Sequence, residues 1–566
     1  MNFIKKMKSI YFVFMQLVLI PFPFLMAQWQ PPVFISQAGE DIQFVGGVTL
    51  DVNSSNNGVT VWGAPSGLHA DIKASSYIFG SGWTNPVIIS STALNQFGKP
   101  IYVVQGDPQV SLNEANYAVA VWEGSEFLED IEENIQGVFS STSTTPGIWS
   151  PVQRISARNL GTDFFPANPS ADVNDAGLAL VAWVEERSDV GDDIKFYIMT
   201  SFLELGGTWT TPFQISAPFL DSDKEFTPDV AINSRGDAVV VWKNRVQPFY
   251  TVTAATYNAA TATWSPPITL DPGLNENLTF HDLPKAGIDE NGNAVAVWNW
   301  QNDTIYKVFA SSFTPGLGWS PATILQQTTN LLGDANVVMD RFGNSTAIWD
   351  FFDIPTLSNQ VYSSSLPLGG TWSSPVIIST NSGDNFLSVS LVQVPISVDL
   401  DGNVIVTYIN DGDTVRSVSR LVNGGWQNSE IVTRAIRPGL LNIGLGSCGF
   451  AIDVWQADDL SGTYRVEGAV RFGPSLPPCD FTGYRCFKCK KSKKVCFNRL
   501  KWGTCDSNCV LFYHLYRNGV LIATIPFGGS THFNDLICHR KRSVTYTLTS
   551  VNLFGIESAP VTVTLP

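Results

Sequence analysis

The side chains most able to do chemistry in this 566-residue chain fall into three clusters. Glu123, Glu126, Glu129, Asp130, Glu132 and Glu133 follow Trp122, and Glu185, Glu186, Asp189, Asp192 and Asp193 follow Trp183. Carboxylates at this density either form a solvated face, hold a divalent cation through oxygen ligands, or dock a basic partner. The chain carries such a basic patch itself, in Lys488, Lys490, Lys491, Lys493 and Lys494 with Arg540, Lys541 and Arg542. The third cluster is sulfur. Cys486-x-x-Cys489 followed by Cys505-x-x-x-Cys509 approaches the spacing of a four-thiolate zinc site. Cys479, Cys496 and Cys538 lie in the same stretch, and Cys448 stands apart as a candidate buried thiol.

Weaker signals are explained without chemistry. Gly444-Leu-Gly446-Ser-Cys-Gly449 has a G-x-G-x-x-G spacing, but no helix follows to meet a phosphate. Asp289-Glu-Asn291-Gly-Asn293 and Asp399-Leu-Asp401-Gly-Asn403 begin like calcium loops and lack the closing bidentate Glu. No cofactor is expected; calcium and zinc are the metal candidates. H-E-x-x-H, G-x-S-x-G and P-loop strings are missing, and only His69 and His281 fall before residue 473. No catalytic residue is nominated.

The elements that position these groups form a repeat. A strand ending in an aromatic recurs at Trp62, Trp122, Trp183, Trp242, Trp298, Trp349, Tyr408 and Trp455. A second landmark, W-x-x-P-x-x-I/L, keeps step from Trp29, Trp83, Trp149, Trp209, Trp264, Trp319, Trp372 and Trp426, degenerating in the last copy. Trp264–Leu270 reads as a short opening strand, Lys285–Asp289 and Asn293–Trp298 as a hairpin, and Ile305–Ala310 as a fourth strand. Four short strands per roughly 55 residues predict a propeller blade. Six residues before the aromatic stand Gly177, Gly236, Gly292, Gly343, Gly402 and Gly449, with Asn116 in the second copy. A three-residue hairpin needs a left-handed residue there. Three residues earlier, Asn113, Asn174, Asn233, Asp289, Asp340 and Asp399 can bond backbone N–H groups of the turn. The first copy reads as a longer loop from Asn53 to Gly58, and the eighth has Gly446 in place of the Asx residue.

On these motifs, residues 28–473 resemble the strand-hairpin repeats of secreted bacterial β-propellers, including the broad sialidase-like superfamily. The order here, D/N-x-x-G with Trp six residues after Gly, differs from the Asp-box, so the resemblance implies a fold and not sialidase activity. Eight copies predict eight blades, with seven plus a remnant as the alternative. Equivalent loops of neighbouring blades then emerge on one face, which would gather the acidic loops, and the aromatic landmarks pack between blades.

A Pro-rich linker, 474–479, precedes residues 480–566. Leu500-Lys-Trp502, Tyr513–Gly519, Leu521–Pro526, Phe533-Asn-Asp535, Val544–Asn552 and Phe554–Pro560 resemble a fibronectin type III domain. That resemblance implies a C-terminal β-sandwich used as a spacer or adhesive module, with no catalytic residues. The expected chain is therefore all-β.

Residues 1–27 read as a secretory signal: Lys5, Lys6 and Lys8, an apolar stretch from Ile10 to Ile20, Pro21 and Pro23, then Ala27. An uncleaved anchor is the alternative. No later segment is long enough to span a membrane. Export to the periplasm, cell surface or medium favours disulfides over zinc for the cysteines, and hairpin strands flanking 490–495 would bring Cys486 or Cys489 near Cys496. Charge is divided: residues 28–476 hold 19 basic against 46 acidic residues, and residues 477–566 hold 12 against 4. An acidic main body argues against a nucleic-acid surface. The function expected from this composition is an exported, non-enzymatic binding, scaffold or adhesion protein, contacting protein or glycan through propeller loops. The alternative is a carbohydrate-active hydrolase or lyase with carboxylates in the propeller channel. The channel lining discriminates: converging Asp, Glu, Tyr or Arg in one case, backbone and small apolar groups in the other.

Overall fold

The computed structural model describes residues 28–42, 47–66, 69–91, 102–104, 108–128, 133–158, 164–187, 194–219, 228–246, 249–270, 283–301, 304–330, 332–353, 358–380, 383, 385–387, 395–422, 424–473, 475, 477–490, 493–503, 509–536 and 543–565. Among them the chain is all-β, broken only by a 3-10 turn at Ser447–Gly449. No helix among the described residues is long and apolar enough to cross a membrane. The signal-like residues 1–27 lie outside the described residues. The chain divides into two compact units, Trp29–Arg471 and one that contains Phe472–Pro566.

In the first unit eight antiparallel sheets of four or five strands follow one another along the chain. The fifth is representative: Lys285–Ile288, Ala294–Gln301, Tyr306–Thr314 and Gly318–Trp319 pair in sequence order, and Thr323–Thr328 adds to the third of these strands. The second strand of each sheet is apolar on both faces, as Ala294-Val-Ala-Val-Trp298 shows, because both faces are covered by neighbouring sheets. Leu180, Val184 and Ile198 of the third sheet share a core with Val230, Ile232, Val240 and Trp242 of the fourth. Val295 and Val297 of the fifth share another with Val337, Ala347 and Trp349 of the sixth. All eight landmark aromatics are at most 1% exposed, so they pack between sheets. Sheets stacked face to face in chain order make a β-propeller.

The ring closes on its N-terminus. Gln28–Trp29 and Val33–Phe34 pair with Tyr464–Phe472, the third strand of the last sheet. Trp29 is 7% exposed in a core with Ile405, Val415 and Trp455, and its Nε1 donates to Ser417 Oγ at 2.9 Å. This corrects the phase of the repeat: each W-x-x-P segment is the outer strand of the preceding sheet, not an opener. Thr263–Trp264, for instance, pairs with Phe249–Asn258 of the fourth sheet. A tight connection from the third strand leaves the outer strand beside it, whereas Lys285 stands much further along the sequence.

The hairpins take the expected form. Gly177, Gly236, Gly292, Gly343, Gly402 and Gly449 all have positive φ, as does Asn116. The first copy is not a longer loop: Asn56, at φ 64°, occupies the left-handed position, and Asn53 N donates to Asn57 O at 3.0 Å. Asn tolerates this conformation better than other L-residues, so it substitutes for Gly. The Asx side chains also join neighbouring turns. Asn53, Asn113, Asn174 and Asn233 each donate Nδ2 to the backbone carbonyl of the next sheet's turn, at 3.1, 3.0, 2.8 and 3.0 Å. Asp289, Asp340 and Asp399 have no such donor; each instead accepts from the Asn four residues on, at 2.8 Å. Gly402 combines φ 87° with a Cβ position only 2.7 Å from Asp340 Oδ2. Gly402→Ala is therefore expected to destabilise by about 1–2 kcal/mol through left-handed strain alone, read as a lower urea midpoint; an unchanged midpoint would show that the turn relaxes.

The second unit holds a three-stranded sheet, Cys479–Lys490, Lys493–Gly503 and His532–Asp535, and a four-stranded sheet, Val520–Pro526, Val510–Arg517, Val544–Asn552 and Val561–Leu565. Leu500 and Trp502 from the first share a core with Tyr513, Leu515, Tyr546 and Leu548 from the second. Tyr546 Oη donates to Asp535 Oδ2 at 2.6 Å and accepts from Asn498 Nδ2 at 2.7 Å, which satisfies its buried hydroxyl.

Candidate functional site

The inner strands of the eight sheets surround a cavity of about 220 Å³. Every sheet contributes a polar side chain to its wall: Asp51, Ser111, Asp172, Asp229, Lys285, Asn336, Ser397 and Asn442. Their placement follows from the turns. Asp51, Ser111, Asp172 and Ser397 each stand two residues before the Asx residue of their hairpin, and Asp229, Lys285 and Asn336 four before it. Period-two alternation puts these positions on one side of the inner strand, while Val110 and Leu112 point the other way into the core.

An inner strand is an edge strand, so it has backbone N–H groups with no ladder partner. The carboxylates supply one. Asp51 Oδ2 accepts from Leu112 N at 2.8 Å, Asp172 Oδ2 from Ile232 N at 3.0 Å, and Asp229 Oδ2 from Ala286 N at 2.9 Å, each time on the next sheet. Ser111 Oγ donates to Asp172 Oδ1 at 2.9 Å. Asp51 and Asp172 thus grip neighbouring residues, Leu112 and Ser111, of one strand. Lys285 Nζ, the cation of the wall, lies 3.0 Å from Asp229 Oδ1.

Loss of hydration inside the ring pushes the Asp51 carboxyl up to about 7, with the charges of Asp172 and Glu114 adding to the effect and backbone hydrogen bonds opposing it. Burial likewise raises Asp172 to about 6 against the hydrogen bonds from Ile232, Ser111 and Val173. Two carboxyls raised toward neutrality beside a polar cavity are equipped to exchange protons. Outside the wall, Asp453 is fully buried with Thr407 Oγ1 at 3.4 Å, and burial raises it well above the carboxylate range.

The acidic clusters sit differently from expectation. Glu123 and Glu126 belong to the strand Ala118–Leu128, and Glu185 and Glu186 to Leu178–Arg187, so the strands continue through what read as loops. Glu126 is 6% exposed and lies 2.7 Å from Arg158 and 3.5 Å from Arg154. Glu185 is buried against Arg187, and burial raises its pKa. Glu123 Oε2 accepts from Asn168 N at 3.0 Å. Of this set Glu133 is exposed. Strand-end carboxylates with arginine partners escaped the sequence reading because Arg154 and Arg158 lie a full hairpin away. Glu129, Asp130, Glu132, Asp189, Asp192 and Asp193 fall outside the described residues.

For the basic patch, Lys488, Lys490, Lys493 and Lys494 lie on paired strands, with Lys488 opposite Val495 and Lys490 opposite Lys493. Lys491, Arg540, Lys541 and Arg542 lie outside the described residues. Among the cysteines, Cys448, Cys479 and Cys509 are disulfide-bonded and Cys486 is a free thiol. Cys448 is therefore not the lone thiol expected; it sits at φ 62° in the turn Ser447–Gly449. The register sets Cys486 opposite Phe497, and Cys496 pairs one position further along with residue 487. With Cys509 oxidised, the set Cys486, Cys489, Cys505 and Cys509 lacks one thiolate for zinc; Cys505 lies outside the described residues.

The channel wall was not nominated from sequence, because its members differ in type from sheet to sheet. Their shared offset from the turn was the available signal.

No protein-family model matches the chain, and no curated protein matches it in sequence. Several solved structures are similar. A PL25 ulvan lyase bound to a GlcA–Rha3S saccharide is 12% identical over 77% of this chain and 95% of its own, with a TM-score of 0.41. The GH93 α-L-arabinofuranosidase of Fusarium graminearum, in complex with arabinobiose, is 13% identical over 61% and 98%, with a TM-score of 0.33. A Dyadobacter fermentans protein of unknown function is 13% identical over 56% and 97%, with a TM-score of 0.34.

Proposed function

We propose that this chain is an exported, eight-bladed β-propeller with a fibronectin type III-like sandwich at its C-terminus, and that the propeller cleaves a polysaccharide as a hydrolase or lyase. One observation carries the reading: Asp51 and Asp172, on either side of the strand Gln109–Leu112, border the channel cavity with carboxyls raised to about 7 and about 6. Asp51, raised further than Asp172, is the better placed of the two to give a proton near neutrality and Asp172 to take one, the division of labour that general acid–base cleavage of a glycosidic bond requires. The Asp229–Lys285 pair borders the same cavity and would orient a sugar hydroxyl.

A second reading, an exported binding or scaffold module for glycan or protein, is favoured by one fact. Asp51 and Asp172 already accept backbone N–H groups with both oxygens, which suits a structural staple. A polysaccharide-depolymerisation screen on the full chain separates the two. Product release that disappears in Asp51→Asn and in Asp172→Asn, with folding intact by circular dichroism, supports the enzyme. Binding with no product from any polysaccharide sinks it in favour of the module.

A further inference from the structure

The wall of the channel is unbalanced in charge and in hydrogen-bonding capacity. Three carboxylates, Asp51, Asp172 and Asp229, face one cation, Lys285, and Lys285 is engaged by Asp229 at 3.0 Å. Two of the wall's donors are engaged inside the protein. Ser111 Oγ donates to Asp172 at 2.9 Å, and Asn442 Nδ2 donates to Val48 O at 2.5 Å. Acceptors remain. Asn442 is 1% exposed, and its Oδ1 has no hydrogen-bond partner, although leaving a buried amide oxygen without a donor is costly. Each carboxylate oxygen that takes one backbone N–H keeps a second lone pair.

We infer that this channel recognises a protonated primary amine carried on a sugar, so that the polysaccharide it takes is one of amino-sugar units rather than uronates. The inference rests on the channel being the functional site proposed above. An ammonium group brings three donors and one positive charge to a wall rich in acceptors, and that charge draws the Asp51 and Asp172 carboxyls toward their ionised forms. A uronate would bring a further carboxylate into a confined, poorly hydrated space, where like charges repel strongly. A multidentate metal is a poorer fit, because no three His, Cys, Asp or Glu side chains among the described residues converge closely enough to hold one.

Calorimetric titration of the full chain tests this with a glucosamine tetramer, its N-acetylated counterpart, a galacturonate tetramer and putrescine. The glucosamine tetramer is expected to bind at least tenfold more tightly than each of the other three. Asn442→Leu should weaken it at least threefold. Lys285→Met should strengthen it at least threefold by removing the competing cation, a gain that misfolding does not imitate. Equal or tighter binding of the acetylated or uronate tetramer overturns the inference, as does no amine binding by either the wild type or Lys285→Met. Putrescine binding as tightly as the tetramer overturns its sugar component. Depolymerisation of a neutral polysaccharide without amine preference overturns the inference and leaves the hydrolase reading standing. Amine-selective binding without turnover upholds the inference and sinks that reading.

Discussion

Trp29→Ala is expected to lower stability by about 3–5 kcal/mol, the cost of truncating a buried Trp. The indole is 7% exposed among Ile405, Val415, Leu441 and Trp455, side chains of the last two sheets. Its Nε1 bond to Ser417 is lost as well. Nearby, Gln30 N and Ile35 N donate to Val470 O and Val466 O at 2.7 and 2.8 Å, so the variant weakens the segment that seals the ring. Trp264 makes the control: it holds the same place in the motif, but it is half-buried and closes nothing. Guanidinium midpoints should fall clearly further for Trp29→Ala than for Trp264→Ala. Equal losses would show that the N-terminal strand is no more than one outer strand among eight.

The second large effect is a stability that declines as pH rises. Burial gives Asp51 and Asp172 folded-state pKa values of about 7 and about 6, above their ordinary 3.8, and raises Asp453 well above that value too. Between pH 4 and the raised value the folded chain holds protons that the unfolded chain has released. Linkage then makes the unfolding free energy fall with increasing pH, by about 1.4 kcal/mol per unit for each group. The loss runs from pH 4 to about 6 for Asp172 and to about 7 for Asp51. Glu557, lowered through its contacts with Thr549, Tyr516 and His514 despite burial, acts in the opposite sense at lower pH and lies in the other compact unit. Denaturant midpoints at pH 5 and pH 8 provide the check. The wild type should be more stable at pH 5, and the Asp51→Asn, Asp172→Asn double variant should lose a measurable part of the difference, with Asp453 sustaining the rest. A wild type that is as stable at pH 8, or a double variant with an unchanged difference, would refute the assignment.

The repeat was readable because two physical constraints recur at fixed spacing. A left-handed turn residue is least strained as Gly or Asn, and a second strand covered on both faces must be apolar. Gly236 and Trp242 show both within seven residues. Phase was not readable, since Trp264 precedes Lys285 in sequence while pairing backwards, and only the ladder reveals that. The acidic clusters misled because charge density was taken as a sign of loop. Glu126 and Glu185 are instead strand residues neutralised by arginines. The channel wall was least legible. It is assembled from residues as far apart as Asp51 and Asn442 that differ in type from sheet to sheet, and its chemistry arises from confinement that their offset from the turn does not encode.

The sealing strand also dictates an order of assembly. Residues 28–34 are made before any of the sheets, yet their partner, Tyr464–Phe472, is made only after seven sheets have been laid down. Throughout that interval an apolar strand with unpaired backbone groups is exposed, the condition under which strands recruit foreign edges. A strand that completes its own ring has the sequence to complete any copy of it. Two chains meeting before closure can exchange these segments and remain joined, each ring intact and neither molecule free.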